Sequence, residues 1–410
     1  MRPSAEDSLA PPGDLFRGRP RKRVCGGPPE GSPSAGKRAV KCGQIPPDCE
    51  PHLPHPVVGL IGCGHIGRFH SRNLRGSIRS ELVPGEYVAV CDRELDRAQS
   101  FAAITGASTV SEDAATVFDR PGLNSVYICT ETAEHPDLVV EAARRGFNVF
   151  CEKPLAKTLG EVERMVEAVE SAGVVNQVGL VLRYSPVFTV IKDMMSAADL
   201  GPLLTAHLRD DQFFPIRGHY GSSWRGSFER AGGGTLIEHS IHDVDLFRWL
   251  FGEIEAVRCH TRETTGHPGI EDVAIATFQH EGGVQTSLSS IWHSLDDRPS
   301  TRHLEVFFEG GYFATDFDFI GSIRYQGRSG PVVEMSADDV FARYCEIAGL
   351  QGPEVELARL GMWEDLSFLR CVEEGRPAFP DFRTALQAHR VVDACYRSAR
   401  GASEVSVTKP

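Results

Sequence analysis

The sequence predicts an α/β protein: an N-terminal doubly wound parallel sheet, then an α+β part with a large, open, mainly antiparallel sheet. Three observations carry this. Across residues 57–180 apolar runs alternate with helical stretches, the first run enters its helix through a glycine-rich turn, and beyond residue 182 strands follow at short intervals. A chain of 410 residues also exceeds the roughly 250 to 300 at which one hydrophobic core stops growing, so at least two domains are expected.

Residues 1–54 hold 11 of the 26 prolines, show no periodicity and carry nine Lys/Arg against six Asp/Glu, so they are expected to form a disordered extension with a solvated basic stretch at residues 17–23. Residues 55–182 are expected to form the first domain. Its apolar runs begin at Val57 and recur at residues 87–91, 125–129 and 148–151, with a short last strand at 174–180. Helices are expected at 66–74, 94–105, 135–146 and 159–173, the last two ending at glycines. Strand-helix alternation requires crossover connections and therefore a parallel sheet. Residues 183–410 are expected to form the second domain, with strands at 203–208, 257–260, 273–279, 284–290 and 303–308. Helices at 242–251 and 340–350 would cover one face of that sheet, and a last helix at 381–400 fits either domain.

Composition excludes several classes. The net charge of -13 repels phosphate backbones and anionic membranes, so neither nucleic acid nor a membrane is an expected partner. No apolar run approaches the roughly 18 to 20 residues of a membrane span, and the N-terminus lacks the apolar core of a secretory signal, so a cytoplasmic protein is expected. The eleven cysteines are scattered without a C-x-x-C pair, so neither zinc nor a disulfide framework is expected, and Cys91, Cys129 and Cys151 read as small buried thiols.

The strongest motif is Val57-Val58-Gly59-Leu60-Ile61-Gly62-Cys63-Gly64-His65-Ile66-Gly67, a strand running into G-x-G-x-x-G and a helix. Gly62 permits the tight turn, Gly64 the approach of a pyrophosphate, and Gly67 close helix-to-strand packing, while the helix start at His65 and Ile66 offers N–H groups to phosphate. The second apolar run ends at Asp92, whose carboxylate can bind ribose hydroxyls and repel a 2'-phosphate. NAD is therefore expected over NADP. Arg93 leaves NADP open should Asp92 turn away.

Downstream stand Cys151-Glu152-Lys153-Pro154 and Gly232-Gly233-Gly234-Thr235-Leu236-Ile237-Glu238-His239-Ser240-Ile241-His242-Asp243-Val244-Asp245. With the glycine loop, these make the chain from Val57 onward resemble the glucose-fructose oxidoreductase and inositol dehydrogenase (Gfo/Idh/MocA) family. The resemblance implies hydride transfer between a nicotinamide and a carbinol carbon of a sugar, cyclitol or related polyol. It places Lys153, with Glu152, beside the nicotinamide, makes His242 the general base, and gives Glu238 the carboxylate position four residues earlier on one helical turn. Most of the family has Asp at that position, and the extra methylene of Glu238 moves the carboxylate.

Looser family features imply cofactor contacts from Thr130 to His135 and from Trp224-Arg225, and substrate contacts from Arg183 and Tyr184 together with Lys153 and His242. Asp210-Asp211-Gln212 and His219-Tyr220 fit pocket polars or solvated loops equally well. His239 reads as a satisfied structural histidine, and Asp243 and Asp245 as helix-start residues. Glu238 and His242 lack a third ligand at metal spacing, so no metal is expected. A dimer or tetramer is expected through the second sheet. Two other functions share these motifs: a hydrolase or isomerase using NAD transiently, and a dinucleotide-binding regulator without chemistry.

Overall fold

The computed structural model describes residues 55–197, 199–217, 221–361 and 363–407; the expected N-terminal extension and His219-Tyr220 lie outside them.

The first part alternates strand and helix: β1 (Val57–Ile61), α1 (His65–Arg79), β2 (Glu86–Cys91), α2 (Leu95–Thr105), β3 (Thr109–Ser111), α3 (Ala114–Phe118), β4 (Ser125–Ile128), α4 (His135–Arg144), β5 (Asn148–Cys151), α5 (Leu159–Ala172) and β6 (Asn176–Val178). All these strands pair in parallel, in the order β3-β2-β1-β4-β5-β6. The order reverses between β1 and β4, which opens a crevice at the carboxyl ends of those strands. Helices cover both faces, so β1 and β4 are apolar almost throughout, with Val58, Leu60, Val126 and Ile128 fully buried. Thr158 and Glu161 form a capping box at the start of α5, and Gly173 ends that helix in the left-handed region.

The second part contains α6 (Pro186–Ala197), β7 (Leu203–Phe213), α7 (Phe228–Ala231), α8 (Thr235–Glu238), α9 (Ile241–Phe251), β8 (Ile254–Arg262), β9 (Val273–His280), β10 (Gln285–His293), β11 (Thr301–Phe308), β12 (Gly311–Thr315), β13 (Ile323–Gly327) and β14 (Val333–Met335). It continues through α10 (Ala337–Ala348), α11 (Pro353–Arg359), α12 (Trp363–Glu373), α13 (Phe382–Gly401) and β15 (Val405–Ser406). Nine strands form one sheet in the order β14-β13-β12-β11-β7-β10-β9-β8-β15, antiparallel except for the central β7-β10 pair. Burial alternates along β10, and Phe247 of α9 packs edge-on against Phe278 of β9 on the covered face.

Packing crosses the chain boundary near residue 182. The first turns of α13 place Phe382, Ala385 and Leu386 in the core beneath the parallel sheet, while Val391, Val392 and Cys395 of the same helix join the core of the second sheet. The helix expected to fit either part thus joins both. Helix α12 also returns to pack on α1, which brings Asp365 beside the first helix of the parallel sheet.

Candidate active site

The glycine loop is built for close approach. Gly62 sits at φ +100, and a Cβ there would lie 2.5 Å from the Cys129 carbonyl; one on Gly67 would lie 2.1 Å from the Gly62 oxygen. A Cβ on Gly64 would meet nothing within 4 Å, so the loop has open space above its second glycine. Helix α1 starts there without a side-chain cap. Such a helix start presents unpaired N–H dipoles to an anion, and the open space admits a pyrophosphate. Asp92 follows β2 directly, accepting hydrogen bonds from the backbone N–H of Cys63 (2.9 Å) and of Glu94 (3.0 Å). Arg93 turns to Glu131 and Glu134 instead.

Strand β5 delivers Glu152 and Lys153 to the same crevice. The buried Glu152 carboxylate lies 2.8 Å from His70 Nε2, and His70 Nδ1 lies 2.7 Å from Asp365, which also accepts from Asn73. Burial pushes the His70 imidazole down, but Asp365 and Glu152 overcome it and hold the pKa well above the ordinary value. A doubly hydrogen-bonded cation therefore braces the loop that carries Lys153. The Lys153 ammonium donates to the backbone oxygen of Glu238 at 2.7 Å. Burial lowers its pKa, the Arg225 charge adds to this, and Glu152 and Glu238 oppose it. The Lys153-Pro154 peptide is cis.

The glycine run beneath Glu238 is a packing device. A Cβ on Gly234 would lie 1.9 Å from the Glu271 oxygen and one on Gly233 2.3 Å from the Tyr396 hydroxyl. The Glu271 carboxylate accepts from the backbone N–H groups of Gly234 and Leu236 and from Tyr396, fixing the start of α8. At its end, Glu238 accepts from Thr132 at 2.7 Å and from Arg225 at 3.0 Å, while the Arg225 guanidinium lies 4.3 Å from the centre of the Trp224 ring. The longer side chain of Glu238 thus ties the β4 loop to the Trp224-Arg225 segment.

These groups line one cleft of about 440 Å³ between the two sheets, inside the roughly 300 to 1,000 Å³ common for small-molecule sites. Gly62, Gly64, His65, Ile66, Asp92, Arg93, Thr130, His135, Glu152, Lys153, Trp224, Arg225 and Glu238 all face it, as do Gln212, His239 and Trp292. Gly67 lies behind the loop in its packing role. Both His135 ring nitrogens are taken up by the backbone oxygens of Pro154 and Thr130. His242 sits behind the lining, 9% exposed, with no partner for Nδ1 among the described residues. Burial pushes its pKa well below the ordinary value, and the nearby Lys153 and Arg302 charges add to this.

Several expectations need correction. Glu238 and His242 do not share one helical turn: α8 ends at Glu238 and α9 starts at Ile241, with His239 at φ -122 and ψ -63 in the break. That break places His239 on the cleft wall. Arg183 and Tyr184 are not among the cleft-lining residues. The Arg183 fork is closed on Asp245 at 2.6 and 2.8 Å, both residues being buried, and the Tyr184 hydroxyl donates to the Phe379 oxygen. Asp243 does stand in the first turn of α9, as expected, and both it and Asp245 also accept in buried ion pairs, Asp243 receiving Arg302 at 2.6 Å. Asp210 and Asp211 are likewise engaged by Arg302 and Arg298, leaving Gln212 of the three on the cleft. Nothing local in the sequence marks Trp292, since an aromatic at an alternating position reads as core; its partner Gln212 lies across the β7-β10 ladder.

The fold and the cleft together define a dinucleotide-binding oxidoreductase. The chain matches a family model described as "Oxidoreductase family, NAD-binding Rossmann fold" over residues 57–180 and one described as "GFO/IDH/MocA C-terminal domain" over 188–314. The two matches span more than half of the chain, which belongs to the Gfo/Idh/MocA family of NAD-binding oxidoreductases. It is 35% identical over 214 residues to scyllo-inositol 2-dehydrogenase (NAD(+)) of Bacillus subtilis (strain 168), covering 51% of this chain and 58% of that relative's length. Inositol 2-dehydrogenase of Rhizobium meliloti (strain 1021) is 25% identical over 359 residues, 85% of this chain and 98% of that one. Among solved structures, levoglucosan dehydrogenase in complex with NADH and levoglucosan superposes with a TM-score of 0.77 at 22% identity, over 86% of this chain and all of the other, a likeness of fold.

Proposed function

We propose that the protein is an NAD-dependent dehydrogenase that moves a hydride between the nicotinamide and a carbinol carbon of a sugar, cyclitol or related polyol. The observation that carries this is the 2.7 Å bond from the Lys153 ammonium to the Glu238 backbone, which brings the end of β5 and the glycine-run segment together over one cleft. Bound NAD supplies the ring carbon that accepts or returns the hydride. The protein's part is alignment, exclusion of water and management of one proton. Lys153 orients the reacting hydroxyl and stabilises its developing negative charge. His242 stands next to Lys153 just outside the cleft lining, neutral and with Nδ1 unpartnered among the described residues, and is the group that takes the proton once substrate is bound; Glu238 holds Arg225 and Thr132 against the cofactor end of the cleft.

Asp92, braced against the glycine loop, favours NAD over NADP, and the engagement of Arg93 by Glu131 and Glu134 leaves it poorly placed for a 2'-phosphate. Residues 55–182 and 183–410 act as the cofactor and substrate domains, with α12 and α13 locking one to the other. No helix among the described residues is long and apolar enough to cross a membrane; we place the enzyme in the cytoplasm, as a homo-dimer or tetramer joined through the second sheet. A screen of inositols, sugars and sugar acids with NAD+ and NADP+, read at the reduced-nicotinamide band, tests the reading. Net NADH formation with a polyol supports it; turnover without NADH accumulation would point to transient NAD chemistry, and dinucleotide binding without any turnover to a regulator.

A further inference from the structure

The break between α8 and α9 turns His239 onto the cleft wall, where it stands with Lys153, Glu238, Gln212 and Trp292. Its Nε2 lies 2.8 Å from Asp210 Oδ2, and the ring keeps 17% of its surface exposed. Asp210, on β7, also receives Arg302 at 2.9 Å and the Ser240 hydroxyl at 3.3 Å. A carboxylate surrounded by donors offers only lone pairs, so Nε2 must carry the proton. In a neutral imidazole that leaves Nδ1 as an acceptor. Burial, with the Arg302 charge, pushes the His239 pKa down to about 3, so the ring is neutral at physiological pH.

The two other side-chain acceptors named on this wall, Glu238 and Gln212, already hold donors. Both Glu238 carboxylate oxygens are used, by Thr132 and Arg225, and the Gln212 amide oxygen receives the Trp292 N–H at 3.2 Å. Lys153 and Arg225 are donors only. A polyol presents several hydroxyls, each of which must find an acceptor once water is excluded.

On the dehydrogenase reading given above, we propose that His239, its Nε2 set against Asp210, accepts a hydrogen bond through Nδ1 from a substrate hydroxyl next to the carbinol being oxidised, and so selects among polyols. It is a specificity residue, distinct from the groups that handle the transferred proton. Asp210 positions it by fixing the tautomer.

The test uses the full chain with NAD+ and three probes, scyllo-inositol, myo-inositol and levoglucosan, following the best of them. His239→Leu should raise KM for that polyol by about tenfold or more, with kcat and the KM for NAD+ within about threefold of wild type. His239→Asn, whose amide oxygen falls near the Nδ1 position, should restore most of the loss. Wild type acting on the mono-deoxy analogue lacking the recognised hydroxyl should show the same penalty, and His239→Leu should not distinguish analogue from parent. An unchanged polyol KM in His239→Leu, a fall in kcat larger than the rise in KM, or a parallel loss of NAD+ affinity would each overturn the assignment. A wild-type chain that neither oxidises any probe nor binds one in the presence of NADH, by tryptophan fluorescence, refutes the dehydrogenase reading itself and the role of His239 with it.

Discussion

Two alanine substitutions three residues apart in sequence separate cofactor binding from stability. At Gly64 the backbone is extended (φ -78, ψ -162), a conformation open to alanine, and an added Cβ meets no protein atom within 4 Å. Gly64→Ala should therefore fold as well as wild type, or slightly better, since alanine narrows the unfolded ensemble by about 0.4 to 1 kcal/mol. The methyl group would nevertheless fill the space a pyrophosphate needs, and NAD+ should bind at least about tenfold more weakly, a change of ~1.4 kcal/mol. At Gly67 the Cβ would lie 2.1 Å from the Gly62 oxygen, a backbone atom that cannot swing aside. Gly67→Ala should cost about 1 to 3 kcal/mol of stability before any ligand is added. Calorimetric titration with NAD+ and thermal melting of the free proteins separate the two effects. Normal NAD+ affinity in Gly64→Ala, or a melting loss equal to that of Gly67→Ala, would refute the placement of the pyrophosphate.

Asp92→Ala should weaken NAD relative to NADP, read as the ratio of dissociation constants; an unchanged ratio removes Asp92 from the ribose site. The variant will also loosen the glycine loop, because Cys63 and Glu94 lose their acceptor, so both cofactors should bind somewhat less tightly. His70→Leu leaves Glu152 and Asp365 buried without their cation, and breaking such a unit costs about 3 to 5 kcal/mol. Because its folded pKa is raised, the stability His70 contributes is full below its unfolded value of 6.5 and is lost as pH rises through the folded value. Nitrogen chemical shifts of the His70 ring should accordingly show both N–H groups at pH 7.5, and a ring titrating near 6.5 would contradict the brace.

Local sequence carried the parallel sheet and the cofactor half of the cleft, because their determinants are contiguous. A strand, three glycines and a helix start occupy eleven consecutive residues, and Asp92 lies directly after the next strand. Short elements were illegible: β3 has three residues and α3 five, too few to show a period. Arg183 looked like a ligand-binding cation because the residue that neutralises it, Asp245, lies 62 positions away. His239 was hidden by a different effect. The apolar spacing from Leu236 to Leu250 runs on as if one helix continued, and only the backbone break after Glu238 reveals which histidine faces the cleft. The parallel β7-β10 pair, which sets Gln212 beside Trp292, joins residues 80 positions apart and leaves no local mark.

The central claim is that Lys153 acts on a substrate hydroxyl beside bound NAD. The most direct measurement compares Lys153→Ala with wild type in two assays on the same preparation, NAD+ affinity by titration and polyol-dependent NADH formation. Turnover should fall by about 100-fold or more, the scale of a lost proton-handling group, while the NAD+ dissociation constant stays within about threefold. Equal losses in both assays would make Lys153 a structural tether between the end of β5 and Glu238, and undiminished turnover would remove it from the chemistry.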